Sequence, residues 1–235
     1  MKAGTAANRI SRALGLGTAL VALSACGGIG GGSNTTQEQS YDISQEITAL
    51  VVDARVAAVT VETGDGPVTV TEVYHFGDDK PSTSHRVEGS TLHWVDTGCR
   101  NDEVRCDVEL RVRIPADASL QVKAEAGAVT VAGLAGSIDV TTEAGAFKGT
   151  SLSADEVSVT SQAGATSMDF AKPPTTVQAS TEAGAIRVRV PSGTAYAVEA
   201  DTDLGTSDIS VQRDAASDHR ITVHSSAGAV IVENA

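Results

Sequence analysis

The sequence predicts an all-β protein, a right-handed parallel β-solenoid of about six two-strand repeats. A short glycine motif recurs with a nearly constant period, and a fixed period near twenty residues is typical of stacked repeat units. Apolar residues alternate with polar ones on both sides of this motif, and alternation with many β-branched residues indicates strands. The alternative is an antiparallel β-sandwich or barrel. The aromatic content of only 3% favours the solenoid, because a sandwich has a thicker core.

The recurring motif is Ala-Gly-Ala, which occurs five times with glycines separated by 18, 19, 20 and 44 residues. A weaker copy at 203–206 divides the longest interval, and the turn at 64–67 resembles an earlier, diverged copy. Glycine adopts positive φ angles without a Cβ penalty, so each glycine is expected at a tight corner between two strands. The predicted corner residues are Gly66, Gly127, Gly145, Gly164, Gly184, Gly205 and Gly228.

Residues 1–25 have the pattern of a bacterial signal peptide. A basic N-terminal segment precedes an apolar stretch at 13–22, which is too short to span a bilayer. The motif Leu-Ser-Ala-Cys at 23–26 matches the lipobox, in which the cysteine is lipidated and becomes the mature N-terminus. Ordinary secretion with cleavage before Ala25 is the alternative. We therefore expect a lipoprotein anchored through Cys26 on the extracytoplasmic face of the cell membrane.

The remaining chain predicts a tether followed by one domain. Residues 26–40 are rich in glycine and polar residues, which is typical of a flexible linker. Residues 41–235 are expected to form a single β-repeat domain, because no strong internal linker interrupts them. Within it, 41–115 is an irregular N-terminal part and 116–235 contains the regular repeats.

Two cysteines lie in the irregular part. In an exported protein Cys99 and Cys106 are expected to form a disulfide that closes a hairpin. A metal or redox role is the alternative, although no further ligands lie nearby in the sequence. The hairpin would be an end cap of the solenoid or its binding element.

Charge and motif content exclude several functions. The formal net charge of −13 argues against binding to nucleic acid and against lying flat on anionic lipid. The sequence contains no P-loop, no Gly-x-Ser-x-Gly and no His-Glu-x-x-His, so we predict neither an enzyme nor a cofactor.

A carboxylate row is the candidate binding feature. In a stacked fold, Glu125 and Glu143 occupy equivalent positions about 5 Å apart, and Glu182 follows after Gln162. This edge either binds a cation or a cationic partner, or it is simply solvated. Metal sites are conceivable in two further groups, but exposed histidines and turn-forming aspartates explain them more simply, and we predict none. These groups are His75, His85 and His93, and Glu199, Asp201, Asp203 and Asp208.

Four features of this sequence together point to a known family. They are the lipobox at Cys26, the opening strand at 47–53, the turn at 64–67 and the Ala-Gly-Ala corners. With these features the chain resembles the actinobacterial lipoproteins of the "putative adhesin" β-strand-repeat family, a domain of unknown function. The resemblance covers nearly the whole mature chain. It implies a β-solenoid-like fold at the cell envelope and brings no catalytic residues. This chain has alanine where relatives often place aspartate after the corner glycine, so a cation or ligand site built on that aspartate would be missing.

We therefore expect a non-catalytic binding or adhesin-like module. Its partners would be the membrane, through the lipid anchor, and an envelope protein or polysaccharide. One alternative is an accessory or structural envelope protein that senses stress beside a membrane partner. The other is an enzyme acting on wall polymer, which the low aromatic content disfavours because sugar-binding grooves usually stack aromatic rings.

Overall fold

The computed structural model describes residues 35–100 and 105–235, and every regular element in these two ranges is a β-strand. The described chain contains no helix long and apolar enough to cross a membrane. The predicted signal peptide and Cys26 lie outside the described residues. The strands are β1 (Thr35–Ile43), β2 (Ala49–Thr63), β3 (Val68–Phe76), β4 (Thr83–Glu88), β5 (Thr91–Asp96), β6 (Cys106–Ile114), β7 (Ser119–Ala126), β8 (Val129–Ala132), β9 (Ile138–Ala144), β10 (Phe147–Leu152), β11 (Glu156–Ala163), β12 (Thr166–Phe170), β13 (Thr176–Ala183), β14 (Ile186–Val190), β15 (Ala197–Leu204), β16 (Ser207–Ser210), β17 (Arg220–Ala227) and β18 (Val230–Asn234).

The strands form two facing sheets, and the long strand β2 runs through both. Sheet A has the spatial order β1, β3, β6, the second half of β2, β8, β10, β12, β14, β18, β16. Sheet B has the order β4, β5, the first half of β2, β7, β9, β11, β13, β17, β15. We call a strand of sheet B together with the strand of sheet A that follows it a rung. Rungs stack in parallel, which confirms the predicted β-solenoid.

Inward-facing side chains form rows that run from rung to rung through the core. One row of sheet B contains residues that are at most 2% exposed, namely Leu50, Leu120, Ile138, Val157, Val177 and Ile221. Each such aliphatic side chain stabilises the fold by about 1.5–3 kcal/mol when fully buried. The alternation in the sequence therefore corresponds directly to the rows of the core.

The order of the rungs in space differs from their order in the chain at both ends. At the C-terminal end, β17–β18 lies between β13–β14 and β15–β16, so β15–β16 is the outermost rung. At the N-terminal end, β5–β6 pairs with the outer side of β2, while β7–β8 pairs with its inner side. Strands β1, β3 and β4 then extend the sheets with antiparallel pairs.

Two local expectations about the N-terminal part were wrong. The tether was expected to extend to Ser40, but β1 begins at Thr35 and pairs with β3 along its whole length. Gly66 was expected at a repeat corner, but the turn at 64–67 joins β2 and β3 of sheet A, between which β6 is inserted. The corner of that rung lies at Ala57, inside β2, where the strand changes from sheet B to sheet A.

The disulfide lies where the chain crosses between the sheets. Cys99 and Cys106 are bonded, with Cα atoms 5.9 Å apart. The expected hairpin is absent, because β5 pairs in sheet B and β6 in sheet A. The disulfide therefore closes the corner of the β5–β6 rung and takes the place of a glycine corner there.

Candidate binding surfaces

The corner glycines form a column in which each residue touches the corner of the neighbouring rung. A Cβ built on any of them would lie 1.8–2.0 Å from a carbonyl oxygen of that neighbour. The column contains, in spatial order, Gly127, Gly145, Gly164, Gly184, Gly228 and Gly205. Gly127 has a φ of +125°, but Gly145 and Gly205 do not have positive φ angles. Close backbone approach, rather than a left-handed conformation, is therefore the requirement that all six share.

The carboxylate row lies on the outer side of this column. Glu125 and Glu143 are exposed neighbours in the register, and Gln162 separates Glu143 from Glu182. Arg55 occupies the preceding position, and its Nε lies 3.7 Å from a carboxylate oxygen of Glu125. The row is thus an exposed line of side chains, one end of which is paired with an arginine.

One group of ligand-type side chains does come together in the described part of the chain. Ligand atoms of Asp201, Asp203 and His224 lie within 4.8 Å of one another. His224 Nδ1 lies 2.8 Å from Asp201 Oδ2, and His224 Nε2 lies 3.7 Å from Asp203 Oδ2. Each ring nitrogen therefore faces a carboxylate oxygen. A metal ion would have to displace one of these contacts.

The other residues grouped in the sequence stay apart. Asp208 lies on β16 in sheet A, away from the aspartates of β15. His75 lies 3.2 Å from Glu109, His93 lies 3.6 Å from Glu88, and His85 stacks on Tyr41. The three histidines therefore have separate partners.

A buried acidic cluster at the N-terminal end was not predicted. Glu72 is 2% exposed and accepts hydrogen bonds from Trp94 Nε1 at 2.5 Å, from the Tyr74 hydroxyl at 2.7 Å and from the Tyr41 hydroxyl at 3.4 Å. Lys80 Nζ lies 3.6 Å from the centre of the Tyr74 ring. A buried carboxylate is tolerated when such donors and a nearby cation compensate its desolvation.

The environment of this cluster changes the acidity of its members. Burial raises the pKa of Tyr41 and of Tyr74, and the Glu72 carboxylate raises the pKa of Tyr41 further. Burial lowers the pKa of Lys80, which the charge of Glu72 partly offsets. The cluster joins β1 and β3 of sheet A to β5 of sheet B, so it holds the two sheets together at this end.

The outer face of sheet B is a regular polar array. Two rows of outward side chains cross β7, β9, β11, β13 and β17, at a spacing of about 4.8 Å between strands. One row contains Lys123, Thr141, Thr160, Ser180 and His224, and the other contains Gln121, Asp139, Ser158, Gln178 and Thr222. All these side chains are exposed or half-exposed. Hydroxyl and amide groups predominate, so the face can donate and accept hydrogen bonds in a repeating pattern.

Comparisons with known proteins agree with the architecture. No curated protein matches the chain. A "putative cell adhesion protein" from Clostridium sporogenes is similar in structure, with a TM-score of 0.54 and 12% identity over 86% of this chain and 100% of that one. A "putative adhesin" from Bacteroides fragilis has a TM-score of 0.50 and 13% identity over 86% and 98% of the two chains. At these identities the likeness concerns the fold alone. The sequence of residues 32–233 matches the Toastrack DUF4097 family, and the chain belongs to that family.

Proposed function

We propose that this protein is a non-catalytic binding module of the cell envelope, anchored through lipidated Cys26 on the extracytoplasmic side of the membrane. The observation that carries the proposal is the outer face of sheet B, where successive parallel strands place hydroxyl and amide groups in register. A rigid array of this kind is preorganised, so an extended envelope protein or polysaccharide can bind it with little loss of conformational entropy in the module.

The buried cluster around Glu72 supports a binding role less well. Its carboxylate already has three donors, and its members tie the two sheets together. Such a satisfied network stabilises a fold and leaves few groups for a ligand. The exposed face is therefore the better candidate.

The anchor is tested first. Cys26→Ala should release the protein from the membrane fraction and abolish labelling by a fatty-acid analogue. If the variant stays in the membrane fraction, the anchoring part of the proposal is wrong.

The binding face is tested with the non-lipidated Cys26→Ala chain and purified envelope fragments, in a quantitative co-sedimentation assay. Thr141→Lys/Thr160→Lys places two large charged side chains on the outer face of sheet B. Thr130→Lys/Ser167→Lys does the same on outward positions of sheet A and is the matched control. We expect at least tenfold weaker binding for the first variant and unchanged binding for the control. Equal binding by both variants would assign the ligand to another surface.

A further inference from the structure

We propose that β15, the outer edge strand of sheet B, binds an extended, lysine- and arginine-rich segment of a partner protein by strand addition. β15 has eight residues and pairs with β17 on one side. On its other side the segment 212–214 bridges Tyr196, the residue before β15, but no strand of the described residues pairs with β15 itself there. This edge lies beyond the five strands of the outer-face array and meets the array at β17, where His224 contacts Asp201 and Asp203. The two sites are tested with different ligands and different variants.

The core is incomplete at this edge. Val198 and Ala200 are register partners of Ile221 and Val223, which are fully buried in the next rung. Val198 and Ala200 are themselves only partly buried, although they face the same core. One more strand along β15 would cover them, and burial of apolar surface is the main favourable term in such an association.

An exposed leucine marks the same edge. Leu204 is 74% exposed and is the register partner of Ala227. The corresponding position is alanine in four further rungs, at Ala126, Ala144, Ala163 and Ala183. Proteins usually protect an edge strand with charged side chains, proline or a very short strand. β15 has eight residues and no proline or lysine, and its charged side chains are all acidic, so they oppose an acidic strand but not a basic one. A large apolar residue at this point favours an interface over a protected edge.

The backbone of β15 has groups directed toward the missing neighbour. The Ala197 amide donates to the His219 carbonyl of the inner rung at 2.8 Å. Amide direction alternates along a strand, so the amides of Val198, Ala200 and Thr202 point outward. One outward acceptor is already used, because the Ser207 hydroxyl donates to the Ala200 carbonyl at 2.9 Å.

Charge determines the kind of partner. Glu199, Asp201 and Asp203 lie on the outward face of β15, and His224 on the neighbouring strand contacts the two aspartates. Cross-strand pairs of opposite charge are favourable, and like charges directly opposite are not. The chain as a whole has a net charge of −13, which opposes pairing with a second copy. An incoming strand with lysine or arginine opposite these acids and valine facing the core would pair the acidic side chains and cover the exposed edge of the core.

The test uses the full non-lipidated Cys26→Ala chain and a labelled, end-capped peptide of alternating lysine and valine, with binding followed by fluorescence anisotropy. The same peptide with glutamate in place of lysine is the control ligand. We expect saturable binding of the lysine peptide, weakening with salt, and no binding of the glutamate peptide. Absence of saturable binding by the lysine peptide overturns the proposal.

Two variants separate strand addition from simple charge attraction. Ala200→Pro removes an outward amide hydrogen without removing one that faces β17, and should weaken binding at least tenfold. Asp201→Asn/Asp203→Asn should also weaken it about tenfold. Asp155→Asn/Glu156→Gln makes the same change in charge at the start of an inner rung, outside the candidate surfaces described above, and should leave binding unchanged.

Circular dichroism establishes that Ala200→Pro is folded, and hydrogen exchange of the β15 amides provides a second measurement. Peptide binding should slow their exchange in the parent chain. Unchanged exchange, or equal binding by Ala200→Pro, would mean that the peptide is held by charge alone and would overturn the proposal. The proposal is also overturned if the parent chain dimerises in analytical ultracentrifugation and Ala200→Pro does not, because the edge then pairs with a second copy of this chain.

Discussion

Replacement of Gly145 by alanine tests why the corners are glycine. Gly145 has no positive φ angle, so alanine brings no left-handed strain there. A Cβ at this position would lie 1.8 Å from the Gly127 carbonyl oxygen, whereas ordinary contact begins at 3.4 Å. The two rungs therefore cannot keep their present separation at this corner.

The expected loss of stability follows from the clash and from the hydrogen bonds that join the same two rungs. The Gly127 amide donates to the Ala144 carbonyl at 3.0 Å, and the Val129 amide donates to the Ala146 carbonyl at 2.9 Å. Overpacking costs about 1–3 kcal/mol, and each weakened hydrogen bond costs about 0.5–1.5 kcal/mol. Gly145→Ala should therefore lower the free energy of unfolding by about 2–6 kcal/mol.

Gly193 provides the matched control. Its φ is +88° and nothing lies within 4 Å of a Cβ built there, so alanine would add backbone strain without a clash. That strain is worth about 1–2 kcal/mol. Urea denaturation, followed by the fluorescence of Trp94 and by circular dichroism, gives the free energy of unfolding of both variants. If Gly145→Ala is no more destabilising than Gly193→Ala, close backbone approach is not the reason for the glycine column.

Four further predictions concern buried side chains and the disulfide. Ser225→Ala should lower the free energy of unfolding by about 1 kcal/mol, because its hydroxyl donates to the Gly184 carbonyl at 2.9 Å. Thr181→Val should not lower it, because the Thr181 hydroxyl has no partner in the described part of the chain. Burial raises the pKa of all three tyrosines above the usual 10.0, so stability should be retained below that pH and lost above it. Tyrosinate absorbance should then appear together with unfolding, and its appearance in the native state would contradict this. Serine in place of both bridged cysteines should cost about 2 kcal/mol in thermal or urea unfolding, and an unchanged midpoint would mean that the bridge does not constrain the unfolded chain.

Most of the regular fold could be predicted from two local signals. Alternation identifies strands because successive side chains point to opposite faces. The corner glycines set the period, because a carbonyl of the neighbouring rung occupies the place of each Cβ. The expected reason for these glycines was a positive φ, which Gly145 and Gly205 do not have.

The order of the end rungs could not be predicted. Gly184 and Gly228 are 44 residues apart in the chain, yet a Cβ on Gly228 would lie 2.0 Å from the Gly184 carbonyl oxygen. Similar rungs offer similar core rows to a neighbour, so local pattern alone does not decide which rung stacks on which. The long interval between the last two Ala-Gly-Ala motifs was the available signal, since the weaker copy at 203–206 lies between them.

The buried cluster was missed because distant segments build it. Tyr41, Glu72 and Trp94 come from three different strands in two sheets. One signal was present in the sequence, because Glu72 occupies an inward position of the alternation between Val70 and Tyr74. A carboxylate at a core position predicts a compensating partner, although not its identity.

The stacking rule also indicates where rungs of this chain can depart from the repeat. An inner rung must match a neighbour on each side, because its corner glycine touches one carbonyl and its own carbonyl meets the next glycine. A change in an inner rung therefore has to satisfy two junctions, whereas a change in an end rung has to satisfy one. The disulfide corner and the Glu72 cluster lie at one end, and the exposed Leu204 lies at the other. Features that distinguish one member of the family from another should accordingly concentrate at the two ends and on the outer faces, where specific partners can be recognised without disturbing the column of glycines.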